Sequence, residues 1–71
     1  MAEEVLAPIP GKITKIFVKP GDNVLEEQEV LLLEAMKMDN PIFAPCSGKV
    51  KEILVKEGEE VELDHILLVI D

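Results

Sequence analysis

Residues 7–24 read APIPGKITKIFVKPGDNV, and residues 44–61 read APCSGKVKEILVKEGEEV. Sliding the chain by 37 positions lays Glu3–Glu34 over Asn40–Asp71, and ten of the 32 pairs are identical: Ala7/Ala44, Pro8/Pro45, Gly11/Gly48, Lys12/Lys49, Ile16/Ile53, Val18/Val55, Lys19/Lys56, Gly21/Gly58, Val24/Val61 and Leu31/Leu68. At average residue frequencies about two identities are expected by chance. Shared strand composition alone would match aliphatic residues, but it would not align glycines and prolines as well. Those residues fix backbone geometry rather than hydrophobicity. The chain is therefore read as an internal repeat, 3–34 and 40–71, joined by a connector of residues 35–39 with Lys37 at its centre.

Each copy reads as β-strands. Branched aliphatics dominate, punctuated by turn clusters at Pro8–Gly11, Pro20–Asp22, Pro45–Gly48 and Glu57–Glu59. Ile13, Ile16 and Val18 are candidate core positions, yet the odd step from 13 to 16 breaks period-two alternation. Val50, Ile53 and Val55 break it at the same place. A shared slip predicts a bulge that curls the strand around a core. Gly21 and Gly58 are expected to supply positive φ in matching turns. One stretch resists this reading: Leu25–Met38, LEEQEVLLLEAMKM, is rich in helix formers. Its helical faces are mixed, however, and its counterpart Ile66–Ile70 suits a strand buried on both sides. Two β-units that cannot bury their apolar faces alone are expected to pack around one core. The fold class is thus all-β, a flattened barrel or sandwich with quasi-twofold symmetry. The connector lies at one end and both termini at the other, which leaves the Lys37 end free.

Bulk properties bound the function. The 71 residues make one small domain, 1–71. Seven Lys, no Arg and 15 acidic residues give a net charge of −8 and a pI near 4.5. Such a chain lacks the basic footprint that nucleic acids or anionic membrane surfaces select. Its longest apolar run, Ile66–Ile70, is far short of the roughly 20 residues that span a bilayer. No N-terminal stretch pairs basic residues with a long apolar core, so no secretion signal is expected. The single Cys46 closes no internal disulfide, which points to a reducing, cytoplasmic setting. At 48% hydrophobic with no Trp or Tyr, the core must be aliphatic and small. It leaves little room for a buried active site, and favours a module over an enzyme.

Lys37 is the sharpest feature, a lysine in a tight hairpin between Met36 and Met38. Exposed apolar side chains at a tip cost solubility, and Met is a soft contact surface. The ordinary alternative is a turn lysine beside two methionines folded back onto the core. Cys46 and His65 are the other nucleophile and base candidates. One Cys and one His do not make a four-ligand zinc site, and nothing in their spacing orients a catalytic pair. Cys46 takes the slot of Ile9 and reads as a packing residue. His65 takes the turn slot of Gln28. The acidic run Glu57, Glu59, Glu60, Glu62 and Asp64 is a solvated face that also steers basic partners.

Glu34-Ala35-Met36-Lys37-Met38 resembles the biotin-attachment signature of biotinyl domains, as in biotin carboxyl carrier proteins. The resemblance extends over nearly the whole chain, through Pro8-Ile9-Pro10-Gly11, Val18-Lys19-Pro20-Gly21-Asp22, Pro45-Cys46-Ser47-Gly48 and Glu57-Gly58-Glu59-Glu60-Val61. It implies two four-stranded halves and covalent biotin on Lys37, added by a biotin protein ligase, with Ala35, Met36 and Met38 as the recognition context. It further implies a non-catalytic carrier serving a biotin carboxylase and a carboxyltransferase or decarboxylase. The carrier's contribution is then effective concentration, since a tethered group meets both active sites intramolecularly. Lipoyl carriers share the fold and also modify a hairpin lysine, but typically show Asp-Lys-Ala at the tip. An unmodified interaction module is the third alternative. The chain departs from the family at Glu27-Gln28 and Asp64-His65, which replace the usual Gly-Gln or Gly-Asp and predict altered turns there. It also carries no thumb-like insertion, and no Ala/Pro-rich linker lies within these residues.

Overall fold

Leu25–Met38 folds as turn and strand, not helix. In the computed structural model, which describes residues 2–71, its middle forms β4 (Glu29–Ala35). This strand is paired on one edge with β2 (Gly11–Ile16) and on the other with β5 (Met38–Phe43). Both edges of its backbone are thereby satisfied, and Val30, Leu31 and Leu33 are fully buried. Tertiary pairing outweighs the helix propensity of the segment.

The remaining strands are β1 (Glu3–Leu6), β3 (Asn23–Val24), β6 (Gly48–Ile53), β7 (Glu60–Val61) and β8 (Ile66–Ile70). They form two antiparallel four-stranded sheets, ordered β1-β8-β6-β3 and β5-β4-β2-β7. Moving 37 residues along the chain turns the first order into the second. The offset holds for every strand pair, so neither copy carries a loop that the other lacks. The architecture is the expected all-β double-sheet barrel, measuring 32 × 17 × 17 Å. Among the described residues, Val, Ile, Leu and Ala alone make up its buried core.

The expected bulge is present in both copies. Pairing of β2 with β4 slips between Ile13 and Lys15, and pairing of β6 with β8 slips between Val50 and Glu52. Gly21 and Gly58 have φ of 94° and 92°, in the left-handed region that glycine enters freely. Each glycine ties the halves together: Gly21 N donates to Val50 O, and Gly58 N donates to Ile13 O.

One expectation needs correction. The turns at Glu27-Gln28 and Asp64-His65, expected to be altered, keep the positive φ that a glycine would supply there. Glu27 and Asp64 take positive φ themselves, 73° and 67°. Cross-sheet hydrogen bonds from Glu27 N to Ala44 O and from Asp64 N to Ala7 O, each 2.8 Å, hold the backbone there. The side chain therefore yields to the turn, at a strain cost of about 1 kcal/mol each. Within the 35–39 connector the turn itself is two residues long. Ala35 and Met38 pair as the last rung of the β4–β5 hairpin, and only Met36 and Lys37 remain in the turn.

Candidate functional site: a lysine at a strained hairpin tip

The β4–β5 ladder runs from Leu33↔Asn40 through Glu34↔Asp39 to Ala35↔Met38. Such a tight ladder leaves two residues to reverse the chain. Met36 and Lys37 do so with φ of 55° and 65°, as a type I′ turn requires at both central positions. Asn and Gly are the usual occupants. A Met-Lys pair gives up some turn stability, which is the mark of a position held for another reason.

The strands on either side hold the tip in place. Asn40 Nδ2 donates to Met38 O at 3.1 Å and to Leu33 O at 3.3 Å, bracing the start of β5. Gly11 lies against the end of β4. A Cβ at Gly11 would sit 2.4 Å from Glu34 O and 3.2 Å from the Ala35 Cβ, so only glycine lets β2 pass so close. Edge strand β5 accepts Pro41, which has no N–H to offer a further strand.

The sequence-predicted site residues divide between surface and core. Met36 is 91% exposed and Met38 66% exposed, so the methionines do not fold back onto the core. Lys37 between them is exposed. Ala35, the last residue of β4 before the turn, is largely buried, at 9% exposure. Cys46 packs half-buried against the core, as does Ile9, the residue it matches in copy one. His65 lies in the turn after β7, where its carbonyl accepts from Ala7 N. Among the described residues no group of three or more His, Cys, Asp or Glu could hold a metal ion, and no helix is long and apolar enough to cross a membrane.

Beside the tip lies an open cleft of about 570 Å³, lined by Gly11, Glu34, Met36, Glu60 and Glu62 among others. Sequence reasoning treated Gly11 as a turn residue and passed over Asn40. The repetition of Gly11 as Gly48 was the available signal, because a Cβ at Gly48 would likewise meet Asp71 O at 2.6 Å. Asn40 gave none, since its counterpart is Glu3.

Lys37 stands at the far end of the barrel from Glu3 and Asp71. β2 leaves the Lys37 end at Gly11, and the chain reaches Gly21 beside Val50, near the Gly48–Asp71 contact. At that end Glu3 pairs with Ile70, the counterpart of Asn40 with Leu33. The tip is an exposed primary amine on a two-residue turn, beside a cleft that carries Glu34, Glu60 and Glu62. It is suited to being acylated and presented to other enzymes.

The biotin-requiring enzyme family model matches residues 3–70. Over 38 residues, 54% of this chain, the sequence is 55% identical to the propionyl-CoA carboxylase alpha chain, mitochondrial, of Caenorhabditis elegans. Over 41 residues, 58% of this chain, it is 51% identical to the biotin carboxyl carrier protein of Streptococcus mutans. The chain spans 5% of the first relative's length and 32% of the second's. The urea carboxylase of Kluyveromyces lactis superposes on all of this chain with a TM-score of 0.94 and 35% identity, over 6% of its own length. These likenesses favour a biotin carrier over a lipoyl one. With the tip geometry and a family match over nearly its whole length, the chain belongs to the biotin-requiring enzyme family, as a biotinyl domain of the biotin carboxyl carrier type.

Proposed function

We propose that Lys37 is the residue that carries the biotin, and that the chain is a non-catalytic carrier of carboxyl groups within a biotin-dependent carboxylase or decarboxylase. The observation behind this reading is the exposed Lys37 at the apex of a two-residue turn braced from both sides. The residues fit the group: an acyl chain on Lys37 Nζ extends from the apex into solvent, and Ala35 and Gly11 beneath the turn hold its base in place. Acylation uses the lone pair of the Lys37 nitrogen: the C–N bond forms as the leaving group departs from the activated acyl carbon, and the nitrogen gives up a proton to the ligase. Biotin, when attached, supplies a ureido ring that holds a carboxyl group in transit. The rigid tip then fixes where the arm begins, and tethering raises the effective concentration of the carried group at each active site.

The partners in this reading are a biotin protein ligase, a biotin carboxylase and a carboxyltransferase or decarboxylase, with no nucleic acid partner and no membrane insertion. The compartment is the cytoplasm, from the single unpaired Cys46. Incubating the chain with a biotin protein ligase, and separately with a lipoyl ligase, tests the reading by intact mass. One biotin per chain with the first enzyme is the expected outcome. Modification by the lipoyl ligase alone would reverse the assignment, and no adduct from either would leave an unmodified interaction module.

A further inference from the structure

Met36 and Met38 are the only methionines after Met1, and the chain contains neither Trp nor Tyr. Among the described residues the buried core is aliphatic throughout, with no methionine. The thioethers of Met36 and Met38, which are readily oxidised side chains, thus lie outside the core and flank Lys37 at the tip. We propose that Met36 and Met38 form a redox-sensitive contact surface, whose oxidation to sulfoxides reversibly weakens acylation of Lys37 while leaving the barrel intact. The inference rests on Lys37 being the attachment residue.

The chemistry needs a hydroperoxide as oxidant. The sulfur lone pair attacks one peroxide oxygen, the O–O bond breaks and an S–O bond forms. Sulfur is oxidised by two electrons, and the second oxygen leaves as water or an alcohol. A thiol-dependent sulfoxide reductase reverses the step: the sulfoxide oxygen leaves as water and two thiols become a disulfide. Oxidation replaces a flexible apolar side chain with a polar, chiral one. An enzyme that buries Met36 against an apolar wall loses a soft contact and takes on an S=O group without a hydrogen-bond partner. The fold is spared because both side chains project from the tip, at 91% and 66% exposure. The same difference sets the order, Met36 before Met38.

The test uses the full chain before biotin loading, treated with hydrogen peroxide, which is then destroyed with catalase. Fragment masses locate the added oxygens, a melting curve reports the fold, and a biotin protein ligase reports the initial loading rate. The expected result is oxygen on Met36 first, a melting midpoint changed by less than about 2 °C, and loading slowed about fivefold or more by the buried polar group. Loading should recover after sulfoxide reductase. A Met36→Leu/Met38→Leu double variant should keep its own loading rate through the same treatment, which separates the thioethers from the Cys46 thiol.

Unchanged loading of the doubly oxidised chain overturns the proposal, as does an equal loss in the double variant or a fall in melting midpoint that tracks the loss of loading. If the untreated chain is never loaded, the attachment reading itself fails and this inference falls with it. If the untreated chain is loaded and the oxidised chain is loaded equally fast, only the redox contact is lost.

Discussion

The two ends of the barrel are built on the same rung and finished differently. At one end Leu33 faces Asn40, and at the other Ile70 faces Glu3. A glycine lies against the strand end in each case, Gly11 against Glu34 and Gly48 against Asp71. Beyond that point the ladder at one end continues for two rungs and closes over Met36 and Lys37, whereas at the other, among the described residues, Glu3↔Ile70 is the last β1–β8 pair. Features present at both ends belong to folding. The tip is present at one end only, it tolerates two positive-φ side chains and exposes two methionines. Duplication thus acts as an internal control that separates what the barrel needs from what the function needs.

The glycines offer the strongest way to break that equivalence. In Gly11→Ala the new Cβ meets the Glu34 carbonyl, 2.4 Å away inside a closed hairpin, and a loss of about 3 kcal/mol is expected, while in Gly48→Ala it meets the Asp71 carbonyl at 2.6 Å, held by backbone hydrogen bonds to Lys49 alone, and about 2 kcal/mol is expected. Denaturant melts measure both, and loading of the Gly11→Ala chain by a ligase should be slowed as the tip is displaced. Equal losses at the two ends would show that the closed hairpin is no stiffer than the open one.

A smaller effect of the opposite sign sharpens the comparison. Glu27→Gly and Asp64→Gly each relieve a left-handed side chain, and each is expected to stabilise the fold by up to about 1 kcal/mol, offset by the unfolded-state entropy that glycine adds. In a chain of this size that raises the melting midpoint by roughly 4–8 °C per kcal/mol. Because the turns occupy matched places in the two copies, the two shifts should be similar and should add.

The smallest stability change is expected at the tip itself. Met36→Leu or Met38→Leu removes nothing from the core, so the midpoint should correspond to less than about 0.5 kcal/mol of change. Loading or carboxyl transfer is where their effect should appear. A large drop in melting midpoint with normal loading would place them among the folding residues after all.

Much of this was legible in the residues because repetition supplied the missing context. The bulge after Ile13 was visible only because Val50 repeats it, and the φ of Gly21 was predictable because Gly58 sits in the same turn. Lys37 was singled out by its place between two methionines at the centre of the connector, and was read as an attachment residue through the resemblance of Glu34-Ala35-Met36-Lys37-Met38 to a biotin-attachment signature. The length of the turn was not legible. Whether Ala35 and Met38 pair depends on the register between distant strands, which local composition does not encode. Nor was the left-handed backbone of Glu27 and Asp64, since Glu has no preference for positive φ, Asp has only a mild one, and the hydrogen bonds that hold it come from Ala44 and Ala7. Gly11 was misread for a related reason: glycine before a strand looks like a turn, and the close passage of β2 past β4 becomes visible only in three dimensions.

The central claim is that a single lysine, the one at the closed end, is presented for acylation. The chain offers seven lysines, and Lys12 and Lys49 occupy matched places in the two copies, so peptide mapping of ligase-treated protein tests the claim directly. The account predicts biotin on Lys37 alone, with none on the Lys37→Arg chain. Biotin on another lysine, or undiminished labelling of the Lys37→Arg chain, would contradict it.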